Sequence, residues 1–171
     1  VQHLWAPWRI EYIRQEPEKG CIFCNRWQRN QDRKDHVLYR SPRVLVMLNR
    51  FPYNCGHLLI SPVQHTGDLT ALPAPTRAAL FAMLQESTRI LDEIMSPEGY
   101  NLGMNLGRVA GAGVADHLHF HLVPRWNGDT NFMPALSEVK VVPEHLDQTY
   151  RKLKPAFSRL GKGPARREKT R

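Results

Sequence analysis

No run of the 171 residues approaches the roughly eighteen consecutive apolar positions that a membrane-spanning helix needs. The first residues also lack the basic stretch, apolar core and small-residue cleavage site of a secretory leader. The expectation is a soluble, cytoplasmic protein with no membrane partner. Cysteine is scarce: Cys21, Cys24 and Cys55 are an odd number and too few for the disulfide lattice of a small secreted fold. Reduced thiols are expected instead. No internal repeat occurs, and aromatic residues lack the regular spacing of a single-strand nucleic-acid platform. Acidic residues are in the minority, 16 against 24 Lys and Arg, for a formal net charge of +8. That excess is unevenly spread. Residues 161–171 hold five Lys or Arg and one Glu, so +4 of the +8 sits in a tail with no apolar anchor, read as a disordered basic end. Nucleic acid is therefore not the partner this reading expects, while the remaining basic excess would draw in a small polyanion.

What is present suits one domain, since 42% of the residues are hydrophobic. Residues 1–20 read as an arm, with a short helix at most over Trp8 to Arg14; residues 21–160 form the domain. Three β-rich runs, His36 to Arg40, Val44 to Leu48 and His57 to Ile60, are separated by Ser41-Pro42 and by the Pro52-Tyr53-Asn54-Cys55-Gly56 turn, and predict neighbouring antiparallel strands. The polar stretch Asn25 to Asp35 predicts no regular element. From Thr76 to Met95, Leu80, Met83, Leu84, Ser87, Ile90, Leu91 and Ile94 recur three and four apart, the period of an amphipathic helix. Pro75 suits its start, and Ser96-Pro97-Glu98-Gly99 ends it. Two extended runs follow, Tyr100 to Leu106 and His117 to Val123, and a weaker helical pattern spans Glu144 to Leu153. The fold class is α+β with a largely antiparallel sheet, one main amphipathic helix and a C-terminal helix.

The chemistry concentrates on the last strand. In Asp116-His117-Leu118-His119-Phe120-His121-Leu122-Val123, imidazoles alternate with apolar side chains at the two-residue period of a strand, which puts the three histidines on one face at a spacing of roughly 6.6 Å. Leu118, Phe120 and Leu122 then point to the core. The alternation by itself also suits an incidental exposed strand or a tandem metal site. Upstream, Asn105-Leu106-Gly107 and Gly111-Ala112-Gly113 supply small residues whose N–H groups could approach an anion, and the conjunction of a phosphate cradle with imidazoles a few residues away favours a catalytic site.

The run His117-Leu118-His119-Phe120-His121-Leu122-Val123 resembles the signature of the histidine triad family. The segment from Leu48 to Pro62, containing Asn49 and Cys55-Gly56-His57, is similar to that family's pocket-lining strand-turn-strand. The Leu4-Trp5-Ala6-Pro7-Trp8-Arg9 arm and the stretch from Pro124 to Phe132 resemble its bacterial diadenosine tetraphosphate phosphorylase-like branch. The resemblance implies an enzyme in which His119 attacks the α-phosphorus of a nucleotide, and water or inorganic phosphate resolves the nucleotidyl-histidine. It implies that His121 and His57 orient the phosphate, with Asn105, Gly111, Ala112 and Gly113 as further donors. It assigns Asn49 to the ribose hydroxyls, although a turn residue before Pro52 explains Asn49 equally. It also implies a homodimer. Neutral imidazole is a competent nucleophile near pH 7, so the chemistry is sound on its own terms.

Cys21-x-x-Cys24 is half a zinc site by spacing, and two histidines would have to complete it. The redox alternative needs a strand-to-helix setting, for which the Ile-Phe interior offers little. The resemblance implies a structural zinc on Cys21, Cys24, His65 and His117. Cys55 reads as a small filler, and His3, His36 and His145 as surface residues without partners. Three rival functions share these residues: an adenosine phosphoramidase, an AMP-releasing dinucleoside polyphosphate hydrolase, and a zinc-stabilised nucleotide- or RNA-binding module.

Overall fold

The computed structural model describes residues 19–129 and 144–160. Five antiparallel strands form one sheet in the order β1-β2-β3-β5-β4: β1 Val37–Arg40, β2 Val44–Leu48, β3 Leu58–Pro62, β4 Gly99–Met104 and β5 Phe120–Arg125. Helices α1 (Ile22–Arg29) and α2 (Asp32–Asp35) precede the sheet, α3 (Ala74–Met95) connects β3 to β4, and α4 (Leu146–Phe157) follows β5. This is the α+β arrangement expected. Among the described residues, no helix is long and apolar enough to cross a membrane.

The pleat of the sheet divides the core in two. Val44, Val46, Leu48, Leu58, Ile60 and Leu122 face α3 and α4, meeting Leu80, Leu84, Ile90, Leu91, Leu153 and Phe157 in the larger cluster. Leu45, Met47 and Leu59, offset by one residue, point the other way and gather Phe23 and Val37 beneath α1. Helix α3 buries the stripe read from its periodicity from Leu80 to Leu91, with Ile94 partly buried against the same core. It starts two residues earlier than predicted because Pro73 is its N-cap and Pro75 stands in its first turn, where a missing N–H costs nothing. Ser96, in the left-handed region at φ 46°, closes it.

Several boundaries differ from the sequence reading. His36 is not part of β1, because it takes a left-handed conformation at φ 52° as the C-cap of α2. The stretch from Asn25 to Asp35 holds most of α1 and all of α2, which its polar composition hid. α1 forms because Phe23 plugs the smaller core while Arg26 and Arg29 stand near the buried Asp35 carboxylate, at 3.9 and 3.8 Å. α4 begins at Leu146, with the His145 side chain accepting the Asp147 N–H, and runs past Leu153 through Pro155 to the fully buried Phe157. Lys154 fastens this helix to the sheet edge, donating to Asp32, Val37 O and Leu38 O. The Trp8 to Arg14 segment, the stretch 130–143 and the basic tail lie outside the described residues.

Candidate active site and metal cluster

The triad strand begins later than its alternation predicted. The Leu118 N–H donates to Thr66 O at 2.8 Å, and the β5 ladder starts only at Phe120. Leu118 and Leu122 nevertheless enter the larger core with Phe120 packed against it, so the histidines share the opposite side. His117 and His119 are buried, 1% and 5% exposed, and His121 is half-buried. The rings of His119 and His121 approach to a centroid distance of 4.9 Å, closer than the strand repeat suggested, because the side chains lean together.

The hydrogen-bond partners decide the tautomer of each imidazole. A carbonyl can only accept, so His119 Nδ1 carries a proton donated to His117 O at 2.9 Å. Burial pushes the His119 pKa below its ordinary 6.5, more strongly than the carbonyl bond raises it. The ring is therefore neutral at pH 7 and its Nε2 keeps a lone pair. In His57, Nδ1 accepts the Tyr53 N–H at 3.0 Å and lies 3.3 Å from Asn49 Nδ2. Nε2 of His57 then donates to His121 Nδ1 across 3.0 Å. His121 is pushed down by burial and by neighbouring His119, so it too is neutral and carries its proton on Nε2. Tyr53 lies stacked over His121, with centroids 5.7 Å apart at 16°, and tilted over His57 at 4.7 Å.

Asn49 closes the turn before Pro52, its Oδ1 accepting the Phe51 N–H at 3.0 Å, while its amide nitrogen faces His57. Asn105 donates to Gly111 O at 3.3 Å and so braces the glycine loop. Within that loop Gly111 N–H bonds Arg108 O and Ala112 N–H bonds Gly107 O, so two of the donors expected for an anion are turned into the loop itself. Gly107 and Gly111 hold positive φ, 83° and 87°, around the 3-10 turn Arg108–Ala110. Asn54, 4% exposed, was not singled out in the sequence; it ties the pocket turn to the end of β5 by donating to Pro124 O at 3.0 Å and to Asp129 at 2.7 Å. Arg125 grips the same carboxylate at 2.6 and 2.8 Å. Nothing in the residue pattern marks this contact, since its partners are 75 residues apart.

Beside the triad, Cys21, Cys24, His65 and His117 come together with their ligand atoms all within 4.8 Å of one another. Cys21 Sγ is 3.1 Å and Cys24 Sγ 3.6 Å from His117 Nδ1, Cys24 Sγ is 3.4 Å from His65 Nδ1, and the two Nδ1 atoms are 3.2 Å apart. A tetrahedral zinc with ordinary bond lengths would space nitrogen pairs by about 3.3 Å and nitrogen–sulfur pairs by about 3.5 Å. The donor set fits. His117 Nε2 donates to Pro62 O at 2.8 Å, which leaves Nδ1 as the acceptor turned to the cluster. Burial first, then bonding with Cys21, raises the Cys24 thiol; a cation at the centre would favour the thiolate instead. Cys21 is the N-cap of α1, so the knuckle does open a helix, a setting the sequence reading had not expected, but both sulfurs face imidazoles. Cys55 is half-buried, and burial raises its thiol.

Two histidines read as unpartnered are engaged in structure. His36 Nε2 meets Asp147 Oδ1 at 2.8 Å, and His145 caps α4, because α4 returns to the sheet edge beside α2. His3 lies outside the described residues.

The HIT domain pattern matches residues 30–128. The chain is 36% identical over 168 residues to the AP-4-A phosphorylase of Mycobacterium tuberculosis (strain CDC 1551 / Oshkosh), covering 93% of this chain and 86% of that protein. It is 28% identical over 127 residues to the adenosine 5'-monophosphoramidase hnt1 of Schizosaccharomyces pombe, covering 74% and 90%. A crystal structure of a Zn-bound histidine triad family protein from Mycobacterium smegmatis superposes with a TM-score of 0.66 at 31% identity, over 84% of this chain and 96% of that one. Matching in domain, in sequence across nearly its whole length and in fold, the chain belongs to the histidine triad (HIT) family.

Proposed function

We propose that this nucleotidyl transferase or hydrolase cleaves dinucleoside polyphosphates through a nucleotidyl-His119 intermediate, with phosphorolysis of diadenosine tetraphosphate to ATP and ADP as its reaction. The observation that carries the reading is the His119 Nδ1–H bond to His117 O in a buried, neutral ring, which leaves the Nε2 lone pair as the nucleophile. Nε2 forms a bond to the α-phosphorus, the bond from that phosphorus to the bridging oxygen breaks, and ATP leaves. The ring then carries a positive charge that His117 O stabilises through the retained Nδ1–H. An oxygen of inorganic phosphate next attacks the same phosphorus, the N–P bond breaks, and ADP is released with His119 neutral again.

The other residues position and stabilise. His121 Nε2–H donates to a phosphoryl oxygen, held in that tautomer by the relay from Tyr53 N–H through His57. Asn49 takes the ribose hydroxyls, and Asn105 with the Gly111-Ala112-Gly113 loop borders the phosphate. Cys21, Cys24, His65 and His117 hold a zinc ion, which supplies a structural clamp between α1 and the lead-in to β5. The chain pairs as a homodimer through the β4 edge, where Asn101, Leu102 and Gly103 are exposed. The relatedness to the M. tuberculosis AP-4-A phosphorylase supports phosphate as acceptor. The phosphoramidase reading keeps the same first half-reaction and is supported by the S. pombe relative.

The test is product analysis with diadenosine tetraphosphate, with and without inorganic phosphate. ATP plus ADP only when phosphate is present identifies phosphorolysis. ATP plus AMP without phosphate identifies a hydrolase, and turnover of adenosine phosphoramidates alone identifies the phosphoramidase.

A further inference from the structure

Phe23 joins two motifs and belongs to the chemistry of neither. It stands between Cys21 and Cys24 and is 1% exposed. Its ring centroid lies 4.9 Å from that of His117, tilted by 40°, and 4.9 Å from that of His119, tilted by 35°. Behind it are Val37, Leu45, Met47 and Leu59, so the ring is backed by the sheet and cannot retreat.

Among the described residues, the one polar bond on the His119 ring runs from Nδ1 to His117 O. One bond fixes one atom of a ring and leaves its plane free to swing about that point. Two ring contacts restrict this freedom: His121, edge-on at 4.9 Å and 62°, and Phe23, at the same distance and more nearly parallel at 35°. Phe23 is in turn carried by the first turn of α1, whose cysteines converge with His65 and His117.

We propose that Phe23 is a positioning residue for His119, through which the cysteine knuckle supports the nucleophile. Ligation at Cys21 and Cys24 holds the start of α1, α1 holds the Phe23 ring, and that ring holds the plane of the His119 imidazole. This rests on His119 being the nucleophile, as proposed above. It explains why the large aromatic side chain of the knuckle is the one turned inward: a leucine would fill much of the same volume but offers no flat face to the imidazole.

The test uses the full chain with its metal, as wild type, Phe23→Leu and Phe23→Ala, with three readouts: metal content per chain, the nuclear magnetic resonance signal of the His119 Nδ1 proton, and the single-turnover rate of protein nucleotidylation by diadenosine tetraphosphate. The expected result is that Phe23→Leu keeps its metal and fold, exchanges the Nδ1 proton faster, and is nucleotidylated on the order of 10- to 100-fold more slowly. Substrate affinity should shift by less than about twofold, which separates misorientation from a general loss of the pocket. Phe23→Ala should be slower again. A Phe23→Leu protein with the wild-type rate and an unchanged Nδ1 signal overturns the proposal. A wild type that never becomes nucleotidylated, while Phe23→Leu still alters the Nδ1 signal, overturns the functional reading and leaves the positioning contact standing.

Discussion

His57 Nε2 donates to His121 Nδ1 across 3.0 Å, and this bond is directional because the Tyr53 N–H already occupies His57 Nδ1. One backbone donor in the pocket turn thereby decides where the proton sits on a triad histidine two hydrogen bonds away. The family's alternating histidines are thus one half of the device, and the turn before β3 is the other.

If that relay and the His119 lone pair perform the chemistry, their removal should differ in degree. His119→Ala should lower nucleotidyl transfer on the order of 10⁴-fold or more, because the bond-forming atom is gone. His57→Phe should cost less, roughly 10- to 100-fold, since His121 remains but loses the partner that orients it. Single-turnover kinetics on the two variants checks the order, and equal losses would count against the relay.

Acid should weaken the fold before it reaches the ordinary carboxylate range. His117, His119 and His121 all sit below the ordinary value of 6.5, with burial the largest cause in each. Between those lowered values and 6.5 the unfolded chain binds more protons than the folded one, so stability rises with pH. The full stability is present above 6.5 and is lost as pH falls through the folded values. Melting temperature should be flat near pH 7–8 and decline below about 6.5, and kcat should show its acid limb below 6.5 as well.

Metal removal should cost stability at the knuckle. Cys24→Ser, or chelation of the wild type, should release the metal and lower the melting temperature by roughly 5–15 °C. Metal analysis alongside thermal denaturation checks this. A metal-free protein that melts with the wild type would show that the four residues pack well without an ion.

Asn54 should matter out of proportion to its size. Asn54→Ala removes bonds to Pro124 O and Asp129 at a nearly fully buried position, for an expected loss of about 1–3 kcal/mol. Leu122→Ala, 1% exposed in the larger core, should cost about 2–5 kcal/mol. Denaturant titration measures both. Only Asn54→Ala should also lower kcat, because it frees the turn that holds His57.

The β4 edge gives the last test. Leu102 is 52% exposed on that strand, so Leu102→Lys should convert a dimer to monomer in sedimentation while leaving the fold intact.

The amino-acid sequence by itself determined the elements whose signal is local. A period of three to four defined α3, alternation defined which triad neighbours enter the core, and the triad together with Cys21-x-x-Cys24 marked the candidate site. Hydrophobic periodicity and motif spacing survive any tertiary arrangement, and so they can be read without one. Tertiary structure decided what depends on residues far apart in the chain. It alone brought Asn54 to Asp129 and Lys154 to Asp32, and it made α1 from a polar stretch by giving Phe23 a core to fill. It also decided the tautomers, because a histidine's proton goes to the nitrogen whose neighbour can accept it, and for His117 and His119 those neighbours are backbone carbonyls that no side-chain pattern announces.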